Sequence, residues 1–329
     1  MICLKNFPKV ELHVHLDGSV RIKTIAELAK RSLPEIQELM EAPRNCENLN
    51  DYLTKFSLPV AMLQTKETLK RVAYELGCDL KEDGVCYAEV RFAPMKHLEK
   101  GLTKEEVVEA VLEGFHAVSQ IELRLLLCMM RDQPVSVNQQ VITLAKQYQA
   151  HGVVGVDLAG AEALYPTKNF SSLFQLAKQE GVPFTIHAGE AAGVESILAA
   201  LSFGTTRIGH GVRAVDSKDV IQKLKEANVL LEICPTSNLQ TGIVKTYEDH
   251  PFRKLLQKGC RVMINTDNRT VSNTTLTTEY ERMLEAKQLT IDELFRSNIQ
   301  AMEASFAEET TKKKVIEEIL VYKQQFWDK

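Results

Sequence analysis

Two histidines stand two residues apart in His13-Val14-His15, at the end of the run VELHVHL and just before Asp17-Gly18. Residues i and i+2 of a strand share a face, so on a strand both imidazoles aim the same way. Converging imidazole nitrogens suit Zn²⁺ or a similar ion. Three other segments bring polar chemistry to the end of an apolar run: TIHAGE with His187 and Glu190, RIGHG with His210, and INTDN with Asp267. His187 and Asp267 would supply a third and fourth ligand, and three neutral imidazoles with one carboxylate leave a position for water. Glu190, three residues past His187, is placed to shuttle protons beside the metal rather than on it.

Each residue taken singly has a plainer explanation. An isolated H-x-H is ordinarily a solvated strand face. His187 could be a hydrogen-bonded core histidine and Glu190 a carboxylate favoured by a helix N-terminus. His210, flanked by Gly209 and Gly211, could sit in a tight turn, and Asp267 could be an N-cap or turn aspartate. Half of the eight histidines nevertheless fall at these run ends, the others being His97, His116, His151 and His250. Independent accidents do not explain that distribution.

The elements that would position these residues are short β-rich runs at 10–16, 85–92, 123–130, 153–158, 183–187, 206–210, 229–233 and 261–266, separated by segments of helical periodicity such as 104–118. Eight strands are the number a closed (β/α)8 barrel needs, though an open doubly wound sheet could use many of them. In a barrel, chemistry sits at the C-terminal ends of the strands, where His13, His15, His187, His210 and Asp267 fall. The segment 22–80 is too long for one crossover and predicts several helices over the barrel mouth. Residues 290–329 read as closing helices with interleaved charges.

The 329 residues, with 44% hydrophobic and 26% charged, suit one barrel domain spanning 1–329. A net charge of -4, a single tryptophan and no basic cluster give no support to nucleic-acid binding or an anionic membrane surface. No apolar run reaches the length of a membrane span. Seven cysteines without a C-x-x-C pair read as buried free thiols. With no signal-peptide pattern at the start, they lead us to expect a cytoplasmic protein.

The motifs HVHLDGS, DLAGAE, TIHAGE, RIGHGVR, ICPTSN and INTDN, in this order, resemble the adenosine deaminase family of the amidohydrolase superfamily, as do LTKFSLPVAMLQT and GVCYAEVRFAP. The resemblance runs from about residue 7 into the final helices. It implies a (β/α)8 barrel with extra helices over the mouth, binding one Zn²⁺ through His13, His15, His187 and Asp267. It implies proton transfer by Glu190 to the purine and a role for His210 in orienting or deprotonating the metal-bound water. It also implies a contact from Gly160 N–H to purine N3, Asp17 near the ribose 5′-hydroxyl, and Phe56 among apolar lid residues. Asn268 departs from the family's best-known pattern, in which a second aspartate hydrogen-bonds purine N7; an amide N–H could donate to a neutral N7 directly.

The expected reaction is hydrolytic deamination of adenosine, and of 2′-deoxyadenosine, with purine nucleoside and water as the small-molecule partners. The alternatives within the family are free adenine or an N6-substituted adenine nucleoside or nucleotide. Two-metal relatives generally carry a mid-barrel lysine that DLAGAE lacks, and a second deaminase fold needs a P-C-x-x-C that is absent. A catalytically silent purine-binding protein would be expected to lose a ligand or the acid, and none is lost.

Overall fold

The computed structural model describes residues 3–328. Its strands are β1 (Lys9–His15), β2 (Val85–Phe92), β3 (Glu122–Met130), β4 (Val153–Ala159), β5 (Ile186–Ala188), β6 (Arg207–His210), β7 (Leu230–Ile233) and β8 (Arg261–Ile264). They pair in parallel as two arcs, β1-β2-β3-β4 and β5-β6-β7-β8. Single bridges join the arcs at Val156–Phe184 and Val14–Asp267. At the second seam His15 N donates to Asp267 O at 2.7 Å and Asp267 N to His13 O at 2.9 Å. The last strand thus returns to the first, which an open sheet cannot do, and the barrel is closed.

All eight expected strands form. The fifth is shorter than the run PFTIH suggests. Pro183 has no N–H to donate, and the pairing of Phe184 is confined to its bridge with Val156 before β5 begins. The strands are buried almost throughout, as expected when helices cover a parallel sheet. The helix expected over 104–118 spans Lys104–His116. It opens on a capping box in which Thr103 and Glu106 satisfy each other's backbone N–H, and it buries Val107, Val108, Val111, Leu112 and Phe115 at three- and four-residue spacing.

The long segment after β1 folds into helices Ile22–Ala29, Leu33–Met40, Leu49–Leu53, Ser57–Met62 and Lys66–Glu82, with a 3-10 turn at Thr54–Phe56. The closing helices are Ile291–Ala304 and Glu309–Phe326. Asn298 in the first of them accepts the Val10 N–H at 2.9 Å and so anchors it to β1. The seven cysteines are unpaired, but only Cys46, Cys128, Cys234 and Cys260 are buried; Cys3 is exposed. Among the described residues no helix is long and apolar enough to cross a membrane.

Candidate active site

At the C-terminal mouth lies a cavity of about 480 Å³, within the range of small-molecule sites. Its floor carries His15, His187, His210, Asp267 and Glu190. Asp17, Gly160, Asn268 and Phe56 line its walls, so every one of these expected residues reaches one chamber. Leu49, Tyr52, Leu53, Ser57, Val60 and Ala61, from the helices after β1, add an apolar roof. The Phe56 ring stands 6.5 Å from that of His15. His13 lies beneath this floor, fully buried.

His15 Nε2 is 3.3 Å from His187 Nε2 and 3.4 Å from Asp267 Oδ1, while His13 Nε2 is 3.5 Å from the same oxygen. Four donors set tetrahedrally about 2.0–2.1 Å from one ion lie roughly 3.3–3.4 Å from each other. Donor type and spacing therefore fit a zinc-sized cation. His13 Nε2 has no hydrogen-bond partner although it is buried, which is how a ligand's lone pair looks before the ion is considered. His210 also converges: one donor atom each from His13, His187, His210 and Asp267 lies within 4.8 Å of the others.

The imidazoles are aimed from behind. His13 Nδ1 lies 2.9 Å from Glu232 Oε2, and His187 Nδ1 lies 2.9 Å from Asp157 Oδ2. Carboxylates at Nδ1 place the proton there and leave Nε2 free for a metal. Both carboxylates belong to a buried ionic network. Arg91 reaches Asp157 and Glu232 at 2.9 Å each, and Arg207 reaches Glu232 at 2.7 Å and Glu89 at 2.5 Å. Burial alone would raise the Glu232 carboxyl, but the Arg91 and Arg207 charges win and hold it well below the usual range.

Burial lowers the basicity of His15 and His187, keeping both neutral and available. For Glu190, burial and then the Asp267 and Glu162 charges raise the pKa well above the usual value. Its carboxyl therefore holds a proton under conditions where an exposed glutamate does not. Burial pushes Asp17 up to about 6. His210 and Asp267 have φ of 60° and 61°, left-handed backbone that costs non-glycine residues roughly 1–3 kcal/mol and clusters at functional sites. Gly209 is required for a different reason: a Cβ there would stand 2.8 Å from His13 Cε1.

One alternative is excluded and one expectation is refined. Glu190 does not open the next helix, which begins at Val194; it sits in the preceding loop. The Asn268 amide does not point all its donors at the cavity. Its Nδ2 donates to Tyr52 OH at 3.0 Å, and Tyr52 OH meets Ser272 Oγ at 2.7 Å, so a lid tyrosine sets the amide and one N–H remains for a ligand.

Sequence reasoning also passed over Glu162, in DLAGAE. Its carboxylate accepts the N–H groups of Gly189 at 2.6 Å, Glu190 at 3.0 Å, Ala191 at 2.8 Å and Ala192 at 2.9 Å, and Ser196 Oγ at 2.5 Å. It shapes the loop that carries Glu190. The only sequence signal was an acidic residue at the end of a strand. Glu162→Gln puts an amide N–H where a backbone N–H now donates. It should cost at least about 1–3 kcal/mol, read as a lower denaturation midpoint, and should lower kcat more than it raises KM. Wild-type stability and turnover would refute this account of the loop.

A closed parallel barrel with a buried imidazole–carboxylate cluster and, at its mouth, a buried carboxyl whose pKa is raised is the architecture of a metal-dependent hydrolase. A sequence model of the adenosine deaminase family matches residues 8–322. The chain is similar to an adenosine deaminase of Enterococcus faecalis, 43% identical over 94% of this chain and 95% of the relative, and to one of Haemophilus ducreyi, 42% identical over 96% of each. Its fold is similar to the crystal structure of the Arabidopsis N6-mAMP deaminase, with a TM-score of 0.87 at 28% identity over 98% of this chain and 99% of that one. The chain belongs to the adenosine deaminase family.

Proposed function

We propose that the chain, as one catalytic domain over residues 1–329, converts adenosine and 2′-deoxyadenosine to inosine and ammonia by hydrolysis, with one Zn²⁺ held by His13, His15, His187 and Asp267. The observation that carries this reading is the run of ligand atoms His13–Asp267–His15–His187, each 3.3–3.5 Å from the next, beside the buried Glu190 carboxyl, whose pKa burial raises. Bound there, the ion supplies a water acidic enough to act as nucleophile near neutral pH.

The rest of the chemistry belongs to side chains. Glu190 donates its proton to purine N1, which draws electrons away from C6 and opens that carbon to the water oxygen. The C6 hydroxyl becomes a carbonyl as the C6–N6 bond breaks; of the two water protons, one turns the departing amino group into ammonia and the other restores Glu190. Gly160, whose φ of 105° turns its backbone at the end of β4, offers its N–H to N3. Asn268, braced by Tyr52, offers its remaining amide N–H to N7. Asp17, mostly ionised at pH 7 with a pKa of about 6, accepts the ribose 5′-hydroxyl and repels a 5′-phosphate; this favours nucleosides over nucleotides. Phe56 and its neighbours exclude bulk water from the chamber.

The test is the ultraviolet change from adenosine to inosine, followed with purified, metal-stripped and zinc-restored protein. Activity should vanish on stripping and return with zinc. Absence of turnover in folded, zinc-loaded protein, with turnover of adenine or an N6-substituted adenine compound instead, would overturn the substrate assignment.

A further inference from the structure

The side chain of Asn238, in ICPTSN, lies between two histidines. Its Nδ2 is 3.2 Å from His210 Nδ1, and its Oδ1 is 3.3 Å from His250 Nε2. Beyond His250, the Phe252 backbone N–H donates to His250 Nδ1 at 3.1 Å. His210, Asn238 and His250 are all buried. Neither Asn238 nor His250 lines the cavity.

The direction of every bond in this row follows from its last member. A backbone N–H can only donate, so His250 Nδ1 must accept. A neutral imidazole carries one N–H, so the proton of His250 is on Nε2. Burial keeps that ring neutral by lowering its pKa to about 3. Nε2–H then donates to Asn238, which must present Oδ1 to His250 and Nδ2 to His210. The amide therefore donates to His210 Nδ1, and the single proton of a neutral His210 is left on Nε2. That nitrogen faces the cavity, 3.5 Å from Glu190 Oε2.

We infer that Asn238 and His250 are positioning residues that lock His210 in its Nε2–H tautomer, so that His210 donates a hydrogen bond into the reaction chamber and neither ligates the metal nor takes a proton as a base. A nitrogen that carries a proton has no lone pair for a cation, which separates His210 from the convergent ligand atoms. His13 and His187 are set the opposite way, each with Nδ1 against a carboxylate. Two carboxylates and one amide thus sort chemically identical rings into metal ligands and a donor. The use made of the donor, holding the oxygen that adds to C6, rests on the proposed deamination; the tautomer does not.

Long-range proton–nitrogen correlation spectra of zinc-loaded protein labelled at histidine nitrogen distinguish the two tautomers, and the signals of His210 are those lost in His210→Gln. The wild type should show protonated Nε2 and unprotonated Nδ1 at His210. Asn238→Asp replaces the donor with an acceptor and should move the proton to Nδ1. Turnover should then fall by about 100-fold or more, as when one donor to a developing oxyanion is removed, at nearly unchanged zinc content. A wild-type His210 protonated on Nδ1 overturns the inference, whether or not the variant folds. Adenosine turnover measured on the same samples keeps the two claims apart. A protein with the Nε2–H tautomer that leaves adenosine untouched supports the tautomer lock and overturns the substrate assignment.

Discussion

Glu190→Gln should turn over adenosine about 10²–10⁴-fold more slowly than the wild type while binding zinc as well. The amide is nearly isosteric and can still donate to purine N1, so ground-state binding should persist and KM should change little. It cannot transfer a proton as an acid does, and the addition at C6 then leaves negative charge on the ring. The wild-type carboxyl is suited to the task because burial, Asp267 and Glu162 all raise its pKa. The four backbone N–H bonds to Glu162 hold the loop that carries it. Metal content and steady-state kinetics on the same preparation separate the possibilities. Loss of zinc in the variant would make Glu190 a structural part of the metal site, and turnover within about tenfold of wild type would remove it from the proton path.

The barrel and the first layer of its site were legible because both rest on local patterns. Strand ends follow from short apolar runs, and a strand's two-residue period is enough to predict that His13 and His15 converge. Closure was not legible: it depends on Val14 meeting Asp267, far along the chain, and no local pattern encodes that pairing. The groups behind the site were hidden for a related reason. Glu89, Arg91, Asp157, Arg207 and Glu232 stand in runs that otherwise read as apolar strands, and their charges make sense only when the strands bring them together. Asn238 and His250 lie 12 positions apart on a helix and a turn, and their role appears only once hydrogen-bond directions can be traced. Asn268 was visible as a departure from the family pattern, but its restraint by Tyr52 required the position of a helix over the mouth.

Glu232→Gln should weaken both the fold and the metal site, although Glu232 is not part of the cavity wall. One carboxylate serves Arg91, Arg207 and His13, and all four side chains are fully buried. Neutralising it leaves two guanidiniums sharing Glu89 and Asp157, and breaking a buried pair by removing one partner costs about 3–5 kcal/mol. The Gln amide cannot accept from Arg91, Arg207 and His13 together, so His13 loses the acceptor that keeps its proton on Nδ1. Loss of such an orienting partner lowers metal affinity about 10–100-fold. Denaturant unfolding of metal-free protein reads the first effect, and competition with a zinc chelator reads the second. The pH dependence has a definite sign. The folded carboxyl titrates below its unfolded value, near about 4.3 for a free glutamate. Its stabilisation is therefore complete above that value and is lost as pH falls toward the folded pKa. The stability gap between wild type and Glu232→Gln should be widest near neutrality and narrow in acid. A gap independent of pH would mean that charge is not what Glu232 contributes, and unchanged zinc affinity would detach it from His13.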